Sequence, residues 1–253
     1  MSMNQGFGDL DMINEVFLQR YLDALLAGDR RQCRSIIEDI LHHNSASIAG
    51  VYSDVIWPIM VEINTLYRTE RITSAQEHLA TRINRTIVDQ LQNKLPRQLQ
   101  IDRKVVVCSS LCETSELGGQ MIADMFESAG WDVRFLGGGL NSDDILSFIH
   151  QFCPDMLVIY GTEPGETPQI RSAIDRIREI NAWPAMKIML SGGVFDRTEG
   201  LWEEIGADLF AENAIEAVQI ASDENQVKCQ PVRTINQRKR KQLAASAQNN
   251  MDE

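Results

Sequence analysis

Apolar side chains in the first part of the chain recur at the spacing of an α-helix, and four such stretches follow one another. The third shows the period in Val51, Val55, Ile56, Ile59, Ile63, Leu66 and Tyr67. Gly28 is expected to end the first helix, Asp29 to cap the second, and Thr73 or Ser74 to begin the fourth. Pro58 lies inside the third helix and requires a local adjustment there. The pattern predicts a four-helix bundle over residues 1–98.

From residue 101 onward, short apolar runs alternate with amphipathic stretches. The runs are KVVVCSS (104–110), DVRFLG (132–137), DMLVIYG (155–161), KIMLSGG (187–193) and ADLFAE (207–212). Strict alternation of strands and helices predicts an α/β fold over residues 101–222, with a doubly wound, five-stranded parallel sheet of the flavodoxin or Rossmann type. Sheets of this kind bind ligands beyond the carboxyl ends of their strands. Residues 223–253 are polar and basic, and we expect a disordered tail there.

Charge and cysteine usage narrow the function classes. The net charge is −12, which disfavours direct binding to nucleic acid, because phosphate contacts need a basic surface. The five cysteines have no pairing rhythm, and the N-terminus has no apolar leader, which together favour a reducing cytoplasm. Because no run approaches the roughly 20 apolar residues of a membrane span, we expect no membrane insertion.

Three glycine-bearing segments follow predicted strands, at 115–119, 161–165 and 191–193. The first opens a helix, a position that suits an anion or the edge of a cofactor. Its spacing is not G-x-G-x-x-G and it lacks the phosphate-loop lysine, so dinucleotides and nucleoside triphosphates are disfavoured. A plainer interpretation remains open, in which Gly118 and Gly119 only allow tight packing between helix and strand.

The segment from ETSELGG to GWDVRFLGG resembles the cobalamin-binding domain shared by methionine synthase, corrinoid methyltransferase proteins and light-sensing cobalamin-dependent repressors. The loop of that family reads Asp-x-His-x-x-Gly. Here Glu113, Thr114, Ser115 and Gly118 occupy the corresponding positions, and Ser115 replaces the histidine that ligates cobalt from below. The resemblance implies cobalamin, as adenosylcobalamin or methylcobalamin, with a lower cobalt ligand that is not a protein histidine.

Two further segments extend the resemblance. The loop Tyr160-Gly161-Thr162-Glu163 would run beside the buried nucleotide tail of the cofactor, with Gly161 where the family has serine. LSGG at 190–193 matches the glycine pair after the fourth strand. The resemblance implies that the tail passes backbone free of bulk, and it assigns cofactor contacts to Gly118, Gly119, Gly161, Thr162, Ser191, Gly192 and Gly193.

The helical half resembles the four-helix cap that precedes this domain in the same families. An aromatic residue, nine residues and a Glu-His pair appear as Tyr67, Glu77 and His78. Tyr67 would take the place of the tryptophan that covers the upper face of the corrin. Arg68 stands where the repressors have a second cobalt ligand, and its protonated guanidinium cannot ligate a metal. Tyr67, Glu77 and His78 are expected to face the cofactor from the bundle.

Two functions from different classes follow, and a third interpretation accompanies them. The favoured hypothesis is a cobalamin-binding sensor or regulator, without its own DNA-binding domain, that acts through a protein partner. The alternative is a corrinoid carrier in methyl transfer, although carriers look built around the histidine that Ser115 replaces. The third interpretation is a domain that kept the fold and lost its ligand. No catalytic triad can be defended from spacing, and homo-oligomerisation stays open.

Overall fold

The N-terminal half is helical, as the sequence predicts. A computed structural model describes residues 6–43, 46–109 and 116–223. Its first helices are α1 (Gly6–Leu26), α2 (Arg30–His43), α3 (Ile48–Val51), α4 (Trp57–Arg68) and α5 (Ser74–Gln92). A π-helical segment, Tyr52–Ile56, joins α3 to α4 without a break, so these pieces form one long bundle helix.

The π-helical segment supplies the adjustment that Pro58 requires. Pro58 stands in the first turn of α4, where its missing N–H costs least. The amide of Trp57 donates to the carbonyl of Tyr52, five residues back instead of four. The wider turn therefore precedes the proline and lets the helix continue through it.

The predicted ends of the bundle helices are confirmed by their caps. Gly28 adopts φ 72°, and the Asp29 carboxylate accepts from the amides of Arg31 and Gln32 at 3.1 and 3.0 Å. Thr73 and Gln76 form a reciprocal capping box at the start of α5. These local contacts satisfy amides that the first turn of a helix leaves free.

The second half alternates strands and helices. The strands are β1 (Lys104–Ser109), β2 (Asp132–Gly137), β3 (Met156–Tyr160), β4 (Lys187–Ser191) and β5 (Leu209–Ala211). The helices are α6 (Glu116–Ser128), α7 (Ser142–Phe152), α8 (Thr167–Ile180), α9 (Gly193–Asp196), α10 (Leu201–Ile205) and α11 (Ala214–Asp223). All strand pairs are parallel, in the order β2-β1-β3-β4-β5, so the predicted doubly wound α/β fold is confirmed.

Some local features of the structure were not predicted. The cap of α7 is Asn141, whose side chain accepts from two amides. The short helix α9, which begins at Gly193, was not predicted. The proposed basic tail lies outside the described residues from position 224 onward, and the proposed boundary at residues 98–101 falls between α5 and β1.

The two faces of the sheet have separate cores. One contains α7 and α8, with Leu146, Ile149, Ile170 and Ile174 buried against strand residues such as Leu157. The other contains α6 and α11, and it continues without interruption into the bundle. The bundle therefore packs on the α6 side, and this shared core fixes the position of the bundle relative to the sheet.

Polar contacts reinforce this interface. Arg85 of α5 pairs with Glu116 at the start of α6, and the same carboxylate accepts from the Gly138 amide at 2.9 Å. Burial alone would raise the pKa of Glu116, but the Gly138 amide and the Arg85 guanidinium outweigh it and hold that pKa below its ordinary value. Glu116 is thus ionised, and it ties the bundle to the loop that follows β2.

Candidate functional site

A cavity of about 240 Å³ separates the bundle from the carboxyl edge of the sheet. Helices α4 and α5 form one wall, and the segments after β3 and β4 form the other, together with the start of α6. This is the edge at which doubly wound sheets bind ligands. Six residues that the sequence singles out line this one cavity: Tyr67, Glu77, His78, Gly118, Thr162 and Gly193.

The bundle wall brings Tyr67, Glu77 and His78 together. The Tyr67 side chain is 42% exposed although it is aromatic, which leaves its ring free to contact a ligand. The Glu77 carboxylate accepts from the Thr81 hydroxyl at 3.2 Å and lies 3.6 Å from the His78 Nε2 atom. The His78 side chain is more than half exposed. This wall therefore presents an aromatic ring, a carboxylate and an accessible imidazole.

The sheet wall carries a cation that sequence reasoning missed. Arg197 donates to the Thr162 carbonyl at 2.8 Å, and a Cβ atom on Gly193 would stand 2.7 Å from the Arg197 guanidinium. Gly193 thus lets Arg197 lie across the end of β4. Burial, with Arg68 nearby, lowers the pKa of Arg197, while Glu163 opposes that shift. The sequence signal that could have revealed Arg197 is its position four residues after Gly193, which is helical spacing.

A hydrogen bond crosses the cavity. The Asn64 side-chain amide donates to the Glu163 carboxylate at 3.3 Å, which joins α4 to the loop after β3. Glu163 also lines the cavity. Asn64 was also missed, although it stands three residues before Tyr67 on the same helix. This hydrogen bond therefore links the two walls of the cavity.

Beneath the cavity, one side chain fills the space beside Gly118. Tyr160 ends β3 and is 5% exposed. A Cβ atom on Gly118 would stand 2.1 Å from the tyrosine Cζ atom and 2.4 Å from its hydroxyl. Trp57 meets the same ring edge-on, with ring centroids 5.8 Å apart. Burial raises the pKa of Tyr160, so its hydroxyl stays neutral. Gly118 thus makes room for a side chain of this protein.

The remaining glycines have different surroundings. A Cβ atom on Gly119 would meet the Ser109 hydroxyl at 2.5 Å, whereas one on Gly161 would point to Ile170 and Phe195 on the opposite face. Gly192 adopts φ 107° and passes so close to the Gly161 carbonyl that a Cβ atom would stand 2.2 Å from its oxygen. These contacts agree with the plainer interpretation of tight packing. Glu113, Thr114 and Ser115 lie outside the described residues.

Comparison with known families identifies the class of protein. A family model described as B12 binding domain matches residues 17–92, and a second model of the same description matches residues 103–219. Together they span both halves of the described fold. The chain therefore belongs to the B12-binding domain family, and the predicted resemblance is confirmed.

Individual relatives refine this assignment. Dimethylamine corrinoid protein 1 of Methanosarcina acetivorans is 23% identical over 166 residues, which are 65% of this chain and 77% of that protein. Dimethylamine corrinoid protein 3 of Methanosarcina mazei is 25% identical over 138 residues, 54% of this chain and 81% of that protein. The structure of the Methanosarcina barkeri monomethylamine corrinoid protein superposes with a TM-score of 0.71 at 16% identity, over 82% of this chain and 98% of that one, and shows the shared fold.

These comparisons support cobalamin as the cofactor and favour one of the two predicted functions. The similar proteins are corrinoid proteins of methylamine systems by name, so they support the carrier alternative. They give no support to the sensor interpretation. Among the described residues, no group of three or more His, Cys, Asp or Glu side chains could hold a metal ion, and no helix is long and apolar enough to cross a membrane.

Cobalamin has two parts, and the site suits them unequally. The cavity walls offer an aromatic ring and polar groups to a flat corrin ring, in the arrangement that the resemblance implies. The slot past Gly118, where the nucleotide tail is expected, holds the buried ring of Tyr160. The chemistry of the cavity walls suits a corrin ring, whereas Tyr160 fills the slot in which the tail is expected.

Proposed function

We propose that the protein is a corrinoid carrier that works with a separate methyltransferase. The observation that carries the proposal is the cavity formed jointly by the bundle and the sheet edge, in a chain whose relatives are corrinoid proteins. When bound, the corrinoid supplies a cobalt atom that accepts and releases a methyl group. The chain itself provides the binding surface and the access route.

The cavity walls support this division of labour. Tyr67 would lie against the corrin ring, because aromatic rings pack well on flat apolar surfaces. Glu77, His78 and Arg197 would hydrogen-bond the polar substituents at the ring edge. His78 and Tyr67 stand at the exposed rim, so a methyltransferase could reach the upper face of the corrinoid from there.

Loading requires the bundle and the sheet edge to separate. The cavity encloses about 240 Å³, while pockets for ordinary small ligands span about 300–1,000 Å³, and a corrinoid is larger than those ligands. The hydrogen bond between Asn64 and Glu163 crosses the opening and would have to break. We therefore infer that uptake is coupled to movement of α4 and α5 away from the loops after β3 and β4.

Absorbance of the reconstituted protein tests the proposal. Purified protein is incubated with hydroxocobalamin, methylcobalamin or dicyanocobinamide, freed of excess by gel filtration, and its spectrum is recorded. We expect at least one corrinoid to co-elute with the protein. Tyr67→Ala should weaken the binding of that corrinoid. Glu62→Ala is the matched control, because Glu62 is an exposed residue of the same helix outside the cavity lining. A protein that emerges colourless from every mixture would contradict corrinoid binding.

A light experiment separates the carrier from the sensor. Carriers need no photochemistry, so we expect the loaded protein to keep its mass and oligomeric state after green illumination, as measured by light scattering. Adding a methylamine methyltransferase and its methylated substrate should instead change the corrinoid spectrum. A change of mass under light, with no response to the methyltransferase, would replace the carrier with a sensor.

A further inference from the structure

The last rung of the sheet holds two buried hydroxyls on either side of Tyr160. Strand register aligns Ser109 of β1 with Tyr160 of β3, and Tyr160 with Ser191 of β4. Ser109 is 6% and Ser191 0% exposed, and neither hydroxyl has a hydrogen-bond partner among the described residues. A buried hydroxyl without a partner is destabilising, so natural proteins rarely keep one. The two hydroxyls therefore outline a polar slot, with Tyr160 between them.

The Tyr160 ring now occupies this slot, and neither serine hydroxyl forms a hydrogen bond with it. The Tyr160 side chain lies between the sheet and Gly118 of α6. The Trp57 ring of the bundle meets the Tyr160 ring edge-on. Tyr160 is nearly fully buried among these neighbours and also borders the cavity, so a tail could enter the slot only if the ring swung toward the cavity, at a cost in affinity. The slot is filled as part of the shared core of the bundle and the α/β domain.

We propose that Tyr160 is a specificity residue that excludes the nucleotide tail, so that the site takes a corrinoid without one, of the cobinamide class. The proposal rests on the proposed corrinoid binding and sharpens it. The filled slot removes the space that a tail needs, while the cavity above it keeps the surface that a corrin ring needs. Exclusion by a steric clash is a recognised route to specificity between related ligands.

Absorbance titration of two corrinoids tests this inference. Dicyanocobinamide lacks the nucleotide tail, and cyanocobalamin carries it. We expect the wild-type protein to bind the cobinamide tighter by about tenfold or more, since a steric clash of even 1.4 kcal/mol produces that ratio. Tyr160→Ser empties the slot and should move the ratio toward cobalamin by about the same factor. Tyr160→Phe keeps the ring, and we expect it to leave the ratio unchanged.

The outcomes separate this inference from the proposed function. Equal or tighter binding of cyanocobalamin by the wild-type protein overturns the tail exclusion but leaves corrinoid binding standing. Binding of cyanocobalamin by Tyr160→Ser alone supports the exclusion and refutes corrinoid binding by the wild type. If neither corrinoid binds to either protein, both proposals fail. Far-UV circular dichroism checks the fold of the variant, and the wild-type ratio decides the question even where Tyr160→Ser does not fold.

Discussion

The interface between bundle and sheet is packed in one part and open in the other. In the packed part, Tyr160 and Gly118 interlock beneath Trp57, and polar contacts reach from Tyr52 to Asp124. In the open part, Tyr67, His78 and their neighbours surround a cavity. Both parts belong to the same pair of domains, so the difference lies in side chains and not in the fold. The part that would face a corrin ring and the part in which a tail is expected are therefore distinct in this structure.

The tight contact in the packed part gives the largest expected effect. Gly118→Ala places a methyl group 2.1 Å from the Tyr160 ring, which is too close for any real contact. Overpacking of this kind costs about 1–3 kcal/mol, because the Tyr160 ring must move to admit the methyl group. Urea denaturation measures the loss in free energy of unfolding.

A double mutant provides the control for that experiment. Combining Gly118→Ala with Tyr160→Ser removes the partner of the clash, so the two free-energy changes should not add. Additive changes would mean that Tyr160 does not occupy the slot beside Gly118. The packed part of the interface would then not depend on contact between Tyr160 and Gly118.

A buried carboxyl in the packed part predicts a dependence on pH. Burial raises the pKa of Asp124 from 3.8 to about 7, while the Tyr52 hydroxyl, 3.1 Å away, opposes that shift and Glu127 and Asp89 add to it. The folded protein thus keeps a proton that the unfolded chain loses, so stability falls as pH rises from about 4 to 7 and levels off above. Between pH 6 and 7 the loss should be about 1 kcal/mol, and Asp124→Asn should abolish it.

Thermal denaturation over a pH series checks this prediction. The asparagine keeps the shape and the hydrogen-bonding reach of the carboxyl but does not titrate. Asp175→Asn, at an exposed aspartate of α8, is the matched control and should retain the slope. An unchanged slope in Asp124→Asn would place the titrating group elsewhere.

A smaller effect is expected from the ion pair that ties α5 to α6. Glu116→Gln removes the charge that Arg85 neutralises, and a partly exposed pair of this kind contributes about 1 kcal/mol or less at neutral pH. Because the pKa of Glu116 is held below its ordinary 4.5, the contribution is present above that pH and disappears as pH falls through the folded value. Wild type and variant should therefore converge in acid, as urea denaturation at several pH values would reveal.

The smallest change in stability is expected in the open part. Asn64→Ala removes the hydrogen bond to Glu163 across the cavity and should alter the free energy of unfolding by no more than about 0.5 kcal/mol. Corrinoid uptake, followed by stopped-flow absorbance, should nevertheless become faster because one barrier to opening is gone. Thr65→Ala, on an exposed position of the same helix, should leave the rate unchanged. A slower rate in Asn64→Ala would argue that Asn64 contacts the ligand and does not restrain the cavity.

The sequence was sufficient for the architecture but not for the slot. Periodicity predicted the bundle and the parallel sheet, and residue types at helix ends predicted the caps at Asp29 and Thr73. The Tyr67, Glu77 and His78 set was predicted as a group, because the resemblance assigned all three to the cofactor. Arg197 and Asn64 were not predicted. Each lines the cavity only because the element that carries it packs against a neighbouring element.

What the sequence determined by itself is the order of helices and strands, because local spacing and capping depend on neighbours along the chain. Tertiary structure alone decided that Tyr160 lies beside Gly118. The glycine and the tyrosine are distant in sequence, and a glycine leaves room without specifying what fills it. Only the approach of α6, β3 and the bundle determines which group enters that space.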